Sequence, residues 1–166
     1  METTRSLVVA EGRRAFVSVP GEGLTLPNPV GGPMTFKARG EQTMGALTAF
    51  ESTPAPGEGP PLHLHASEDE VIYVLDGRLR VRLEENLHEA PAGSFVFIPR
   101  GVHHTWQNTG DEPARILVLF TPAAPGMETF FERSAELADG ERVADAFRKF
   151  ARESGMEVLG PPLAES

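Results

Sequence analysis

Alternating apolar and polar residues over the first three-quarters of the chain predict a series of short strands. The clearest example is R-L-R-V-R-L at residues 78–83, where Leu79, Val81 and Leu83 share one face and three arginines share the other. A period of two residues is typical of an antiparallel strand with one solvated face. The arginine row could instead form a contact between subunits.

Further strands are predicted wherever a short apolar run is bounded by turn residues. These runs cover residues 7–10, 15–19, 34–38, 46–51, 71–75, 94–98, 104–108 and 115–120. The first two are expected to be edge strands, the next two to form a hairpin, and residues 94–98 to form a buried strand. Residues 52–61 contain four prolines and therefore predict a loop.

The pattern changes to a helical period near the end of the chain. Residues 126–137 and 141–154 are predicted as amphipathic helices, the second with Val143, Phe147 and Phe150 on one face and Gly155 as its stop signal. Many short strands followed by two helices indicate an all-β barrel or sandwich with a helical C-terminal segment. Whether these helices cover the mouth of the barrel or pack on its outside is open.

Composition narrows the classes of function. The 166 residues suit a single domain, and a formal net charge of −9 without a basic cluster argues against a nucleic-acid partner. The chain has no cysteine, which excludes disulfides and thiolate chemistry and leaves His and carboxylates as metal ligands. Without a signal-peptide pattern or a long apolar run, we expect a cytoplasmic protein with no membrane partner.

The stretch P-L-H-L-H-A-S-E-D-E-V at residues 61–71 is the first candidate site. His63 and His65 point to the same face of a strand, whereas an unbroken strand would send Glu70 to the opposite face. A bend in the polar A-S-E-D would turn Glu70 back toward the histidines. A carboxylate on an apolar face is costly unless a cation compensates it, and a metal held by two imidazoles and one carboxylate does so. The competing interpretation is a chance pair of histidines on an exposed strand.

A second candidate lies at P-R-G-V-H-H-T-W-Q-N, residues 99–108. His103 and His104 are adjacent, so only one can face inward on a strand. Trp106 lies on the side of His104, and burying the indole is the better use of an inward position. His104 is therefore the predicted fourth ligand, with His103 at the rim or supporting a ligand.

The two stretches together have a specific spacing. Gly57 to Gly77 reads G-x5-H-x-H-x4-E-x6-G, Gly93 to Asn108 reads G-x5-P-x-G-x2-H-x3-N, and fifteen residues lie between them. These resemble the two signature motifs of the cupin superfamily, over residues 46–122.

The resemblance implies a small jelly-roll barrel, also called a double-stranded β-helix. Its core would be residues 46–122, with N-terminal strands at 1–45 and helices at 123–166, all in one domain. His63, His65, Glu70 and His104 would bind one divalent transition metal per chain: Fe, Mn, Ni, Co, Cu or Zn. Because cupins commonly pair, it also implies a homodimer.

Within that superfamily, P-P-L-H-L-H, D-E-V-I-Y-V-L-D-G and F-V-F-I-P-R-G resemble single-domain quercetin 2,3-dioxygenase-like proteins. This implies a dioxygenase acting on a phenolic or enolic small molecule, with Glu70 as the catalytic proton acceptor. A non-oxidative isomerase or lyase, and a metal-holding binding module without turnover, remain as alternatives.

Strand alternation also gives a set of inward-facing apolar residues that would line a substrate pocket. Plain core packing explains each of them equally well. They are Phe36, Phe50, Ile72, Phe95, Phe97, Trp106 and Leu117.

Overall fold

The computed structural model describes residues 9–10, 13–28, 31–137 and 143–164. Within them the chain forms short strands, then two helices and a final strand. The strands are β1 (Val9–Ala10), β2 (Arg13–Arg14), β3 (Thr25–Leu26), β4 (Met34–Ala38), β5 (Thr48–Ser52), β6 (His63–His65), β7 (Asp69–Asp76), β8 (Arg78–Leu83), β9 (Asn86–Pro91), β10 (Phe95–Ile98), β11 (His104–Asn108), β12 (Arg115–Thr121) and β13 (Met156–Val158). The helices are α1 (Pro125–Ala135) and α2 (Val143–Glu153).

Two antiparallel sheets make up the body of the protein. One has the strand order β10-β7-β12-β5-β4-β3, the other β13-β6-β11-β8-β9, and β1 pairs with β2 in a separate small sheet. The predicted all-β jelly roll with two C-terminal helices is confirmed. It consists of two facing sheets, which the described strands do not join into a closed barrel.

The core lies between the two sheets because each contributes an alternating apolar face to it. Leu79 and Val81 of β8 are buried, as the period of two predicted, while Arg80 on the opposite face donates a hydrogen bond to Glu89. The core side chains from the two sheets include Met34, Phe36, Phe50, Ile72, Val74, Leu79, Val81, Ile98, Trp106, Ile116, Val118, Phe120 and Met156.

The connection after β7 moves the chain from one sheet to the other. Gly77 forms this connection and has a φ of +81°. A Cβ at this position would lie 2.9 Å from the Cβ of Ala114. Both the backbone conformation and the close approach therefore favour glycine. The predicted hairpin is also confirmed, since β4 and β5 pair antiparallel.

The strand predictions are only partly correct. Residues 15–19 form no strand. Of residues 7–10, only Val9–Ala10 lies within the described part, where it forms β1 as predicted. Neither β9 nor β13 was predicted. N-L-H-E-A-P in β9 is too polar to show an apolar period, and it forms a strand because it pairs with β8 along its whole length.

The prediction of a buried strand at residues 94–98 is wrong. β10 is an edge strand of the six-stranded sheet, and Phe95 and Phe97 are 65% and 51% exposed. Ile98 pairs with Glu70 and Phe97 with Val71. Because Glu70 faces the interior, its neighbour Ile98 does so too, and Phe97 must face outward.

Both predicted helices are present, and Gly155 follows α2 with a left-handed φ of +85°. Residues 138–142, including the predicted start of the second helix, lie outside the described residues. The ring of Phe131 in α1 contacts those of Phe36 and Phe50, and Phe130 contacts Phe147 of α2. Neither described helix combines the length and apolar character needed to cross a bilayer.

A buried carboxylate fixes α1 to the six-stranded sheet. Glu128 accepts hydrogen bonds from Thr48 Oγ1 at 2.8 Å, from the Gly40 backbone N–H at 2.7 Å and from Arg39 Nε at 3.0 Å. Thr48 Oγ1 in turn accepts the backbone N–H of Ala124, just before the helix begins. The position of α1 is thus determined by a charge-assisted network as well as by aromatic packing.

We predict that Glu128→Ala lowers the free energy of unfolding by about 2–4 kcal/mol, because it leaves Thr48 and the Gly40 amide without their acceptor inside the protein. Glu132→Ala is the matched control, since Glu132 lies on the same helix and also contacts Arg39 but is 44% exposed. It should cost less than about 1 kcal/mol. Urea denaturation checks both, and equal losses would contradict the role given to Glu128.

Candidate metal centre

The structure brings the four predicted ligands into one buried cluster. One potential ligand atom from each of His63, His65, Glu70 and His104 lies within 4.8 Å of all the others. The three histidines come from the five-stranded sheet and Glu70 comes from the six-stranded sheet. The centre therefore joins the two sheets across the interior.

Local strand geometry explains why these side chains meet. His63 and His65 project from the same face of β6, and His104 of β11 pairs directly with His63. Residues 66–68 interrupt the strand between His65 and Glu70, as the odd spacing predicted, so β7 begins in the opposite sheet with Glu70 facing inward. The ring centroids of His63 and His104 are 4.2 Å apart.

Hydrogen bonds behind two of the rings set which nitrogen faces the cluster. His63 Nδ1 lies 2.7 Å from the backbone oxygen of Pro61, and His104 Nδ1 lies 2.9 Å from that of Val102. A carbonyl oxygen can only accept, so each Nδ1 carries the hydrogen and donates it. Each Nε2 therefore faces the interior, where its lone pair would be available to a metal once any hydrogen on it is released.

Burial and mutual charge shift the pKa values within the cluster. Burial, together with the neighbouring rings of His104 and His65, lowers the pKa of His63 to about 3, so this ring is neutral at physiological pH. Burial alone would raise the pKa of Glu70, but the charge and hydrogen bond of His104, with a further hydrogen bond from His65, lower it. Glu70 is therefore ionised.

The ion pair with Glu70 raises the pKa of His104. Burial alone would lower the pKa of His104, but the Glu70 carboxylate raises it above its usual value. Glu70 Oε2 lies 2.8 Å from His104 Nε2 and 3.2 Å from His65 Nε2. The proton on His104 thus supplies positive charge that this buried carboxylate requires.

The donor set fits a divalent transition metal. Bond lengths of about 2.0–2.2 Å place neighbouring ligand atoms about 3 Å apart and opposite ones about 4 Å apart in an octahedral site, close to the spacing found here. Three imidazoles and one carboxylate favour Fe, Mn, Ni, Co, Cu or Zn, whereas Ca²⁺ and Mg²⁺ prefer oxygen ligands.

His103, the neighbour of a predicted ligand, lies at the surface. Its side chain is 47% exposed and its Nδ1 is 3.8 Å from Glu84 Oε2. This agrees with the prediction that it lies at the rim.

An apolar cavity opens on the ligand cluster. Phe50 and Trp106, two of the predicted pocket residues, lie on its wall. Of the two placements left open for the C-terminal helices, the structure shows the first, because both helices contribute to the wall of the cavity and cover the interior. Their contributions, with that of β13, are Met127, Phe130, Phe131, Phe147 and Met156.

The other predicted pocket residues do not line this cavity. Phe95 and Phe97 are exposed for the reason given above. Leu117 is half-buried and pairs with Tyr73 and Glu51 on the outer face of the sheet, because its neighbours Ile116 and Val118 take the inward positions. The remaining two, Phe36 and Ile72, are buried in the core, where Phe36 is covered by Phe50 and Phe131.

Comparison with known proteins agrees with this architecture. Residues 50–120 match the family model described as "Cupin domain". A solved RmlC-like cupin from Shewanella frigidimarina aligns with a TM-score of 0.57 at 19% identity, covering 68% of this chain and 96% of that one. The protein thus has the jelly-roll cupin fold, and the matched domain supports its placement in the cupin superfamily.

Two further proteins are similar over part of the chain. Polyketide synthase CurC from Streptomyces cyaneus is 35% identical over 85 residues, which cover 50% of this chain and 55% of CurC. The chain thus spans about half the length of that relative. The polyketide cyclase RemF from Streptomyces resistomycificus has a TM-score of 0.57 at 20% identity, covering 67% of this chain and 82% of RemF, and shares the fold.

We predict that His104→Ala removes most of the bound metal, because one of four donors and the hydrogen-bond partner of Glu70 are lost together. Elemental analysis of protein purified without an affinity tag measures this. His103→Ala, the adjacent histidine at the surface, should keep the metal content of the wild type. Equal metal content in both variants would contradict the assignment of His104.

Proposed function

We propose that this protein is a metal-dependent enzyme that takes up a small phenol or enol as its anion, and that the reaction is dioxygenation. The observation that carries the proposal is the position of Glu70. Among the described residues that line the cavity it is the only carboxylate, and it lies beside three imidazoles under a mostly apolar wall. A divalent metal, when bound there, would supply Lewis acidity toward a substrate oxygen.

Glu70 is suited to accept the hydroxyl proton of such a substrate. Its pKa is lowered by the surrounding histidines, so it is ionised and free to accept. A carboxylate is a weak base, so it can take this proton only from a hydroxyl that is already acidic, and a divalent metal would acidify a phenol or enol in this way more readily than an alcohol. This supports the substrate class.

The apolar wall supports a flat, unsaturated substrate. Phe50, Trp106 and Phe120 offer ring faces, and the cavity has little polar surface to hold competing water. The cavity has a volume of only about 50 Å³. Ligand pockets of typical size are several times larger, which favours a single ring or a short enolic chain. A flavonol would require α1 or α2 to move.

In the proposed reaction both atoms of dioxygen enter the substrate anion. The substrate itself provides the electrons, so no external reductant is needed. The residues of the site would bind and orient the anion, hold its proton on Glu70, and keep bulk water away while the activated anion reacts.

Non-oxidative chemistry is the second candidate. It is favoured by the likeness to CurC, which is named as a polyketide synthase protein. Chains of β-ketones enolise readily, and the same proton transfer to Glu70 would start an isomerisation or cyclisation instead of an oxidation. The predicted alternatives of an isomerase or lyase belong to this class.

We predict that metal-loaded protein consumes one O₂ per substrate lost when it is given a panel of monocyclic phenols and 1,3-diketones, and that Glu70→Gln lowers kcat at least about 100-fold because the proton acceptor is lost. An oxygen electrode with product chromatography measures this, with His103→Ala as the control that keeps wild-type rates. Metal content is measured for every variant.

The same panel under nitrogen separates the candidates. Turnover that stops under nitrogen supports dioxygenation. Turnover that continues without oxygen contradicts it in favour of isomerisation or cyclisation, and substrate binding with no turnover in either gas indicates a metal-holding binding module.

A further inference from the structure

The three histidines of the metal centre differ in what supports the far side of each ring. Nδ1 of His63 lies 2.7 Å from the backbone oxygen of Pro61, and Nδ1 of His104 lies 2.9 Å from that of Val102. Nδ1 of His65 is also buried, but within the described part of the chain it has no hydrogen-bond partner. His65 thus lacks the backbone support that the other two predicted ligands have.

The orientation of the His65 ring makes such a partner important for metal binding. Nε2 of His65 faces the cluster, 3.2 Å from Oε2 of Glu70, so a metal would bind at Nε2. A neutral imidazole has one hydrogen, and a ring that gives the lone pair of Nε2 to a metal carries this hydrogen on Nδ1. That N–H group would lie in the interior, since His65 is only 2% exposed. A buried donor without an acceptor is costly, so metal binding favours an acceptor behind this ring.

Glu68 has an unpaired acceptor atom close to His65 in the chain. Its Oε2 is buried without a hydrogen-bond partner, and the residue is 8% exposed. Among the described residues, the other unpaired side-chain atoms of this kind belong to Thr109 and Ser134. Thr109 lies beyond the end of β11 that the antiparallel pairing with β6 carries away from His65. Ser134 is in the last turn of α1 and is not part of the cavity wall. Glu68 is therefore the candidate acceptor.

The bend between β6 and β7 directs Glu68 toward the interior. Side chains alternate between the two faces of a strand, and the two residues after Glu68 identify these faces. Asp69 points outward to Arg100, and Glu70 faces the cluster. Glu68, one position before Asp69, thus lies on the inward side, in agreement with its burial. The chain bends just before Glu68, which brings this residue back toward His65, three positions earlier.

Hydrogen bonds at both ends hold this bend in place. At its start, the backbone N–H of Gly101 donates to the carbonyl oxygen of His65 at 2.8 Å. At its end, the carboxylate of Asp69 accepts the backbone N–H of Arg100 at 2.9 Å and its Nε at 3.1 Å. The backbone that carries both His65 and Glu68 is therefore fixed, so the two side chains need only rotate about their own bonds to pair.

We infer that Glu68 is a positioning residue that accepts the Nδ1 hydrogen of His65, directly or through one water, when Nε2 of His65 binds the metal. The inference rests on the metal centre. Glu68 is outside the group of side chains whose ligand atoms lie within 4.8 Å of one another, so it acts on the metal only through His65. An acceptor in this place fixes the tautomer and ring orientation of a ligating histidine and strengthens it as a donor. The bond also gives both unpaired atoms a partner.

We predict that Glu68→Ala weakens Co²⁺ binding about 10–100-fold, the usual loss when the partner behind a ligating histidine is removed. Glu68→Gln should stay within about threefold of the wild type, because its amide oxygen still accepts a hydrogen bond. Competition with a fluorescent chelator gives the affinities. Glu85→Ala is the matched control for the loss of one carboxylate, since that side chain is 90% exposed, and it should bind Co²⁺ like the wild type.

A proton magnetic resonance spectrum of the Co²⁺-loaded protein tests the hydrogen bond itself. Bound Co²⁺ moves the resonances of ligand protons far from the rest of the spectrum, and each ligating histidine with a hydrogen on Nδ1 gives one such signal that disappears in D₂O. Glu68→Ala should shift the signal of His65 or broaden it by faster exchange with solvent. The signals of His63 and His104 should stay in place, because their backbone acceptors are unchanged.

The outcomes separate the inference from the site on which it rests. Wild-type protein that binds no Co²⁺ contradicts the metal centre, and the inference with it. When the wild type binds Co²⁺, four results overturn the role of Glu68 alone. They are an affinity of Glu68→Ala within about twofold of the wild type, an equal loss in Glu85→Ala, a Glu68→Gln variant as weak as Glu68→Ala, and exchangeable signals that all stay in place.

Melting of the metal-free proteins detects a purely structural role. Metal-free Glu68→Ala should melt at the wild-type temperature, because the proposed bond forms when the metal binds. A lower melting temperature in both Glu68→Ala and Glu68→Gln would assign the residue to the stability of the fold and would also overturn the inference.

Discussion

The arrangement of the strands around the interior depends on the burial of one ionised side chain, that of Glu70, among three imidazoles. A lone carboxylate in this interior would be very costly, so β6 and β11 must bring their histidines to it from the opposite sheet. The inward orientation of Glu70 determines which residues of β7 face the interior. Through strand register, β7 then determines which residues of β10 and β12 face inward, and therefore which of their apolar side chains are buried and which are exposed.

Most of the ligand set could be predicted from sequence because it depends on short-range geometry. Two histidines two residues apart on a strand must share a face, and a polar interruption before Glu70 allows a bend. The inward position of His104 followed from the burial of Trp106 in the same strand. In each case the residues that decide the outcome lie within a few positions of one another.

For strands that are apolar on both faces, the side chains that face inward could not be predicted in this way. F-V-F-I in β10 and I-L-V-L-F in β12 have hydrophobic residues at every position, so alternation alone cannot tell inside from outside. Pairing with β7 decides, and that pairing is long-range. The residues of the cavity wall were predicted incompletely for the same reason. The position of α1 depends on the hydrogen bond between Glu128 and Thr48, which lies eighty residues earlier in the chain.

The origin of that wall has a consequence for how such a protein can change. The four potential metal ligands lie on β6, β7 and β11, while part of the cavity wall comes from two helices much later in the chain. Substitutions in α1 and α2 can therefore change the shape of the cavity without replacing any of these four side chains. The size of the ligand that the cavity accepts and the composition of the buried cluster can thus vary independently of each other.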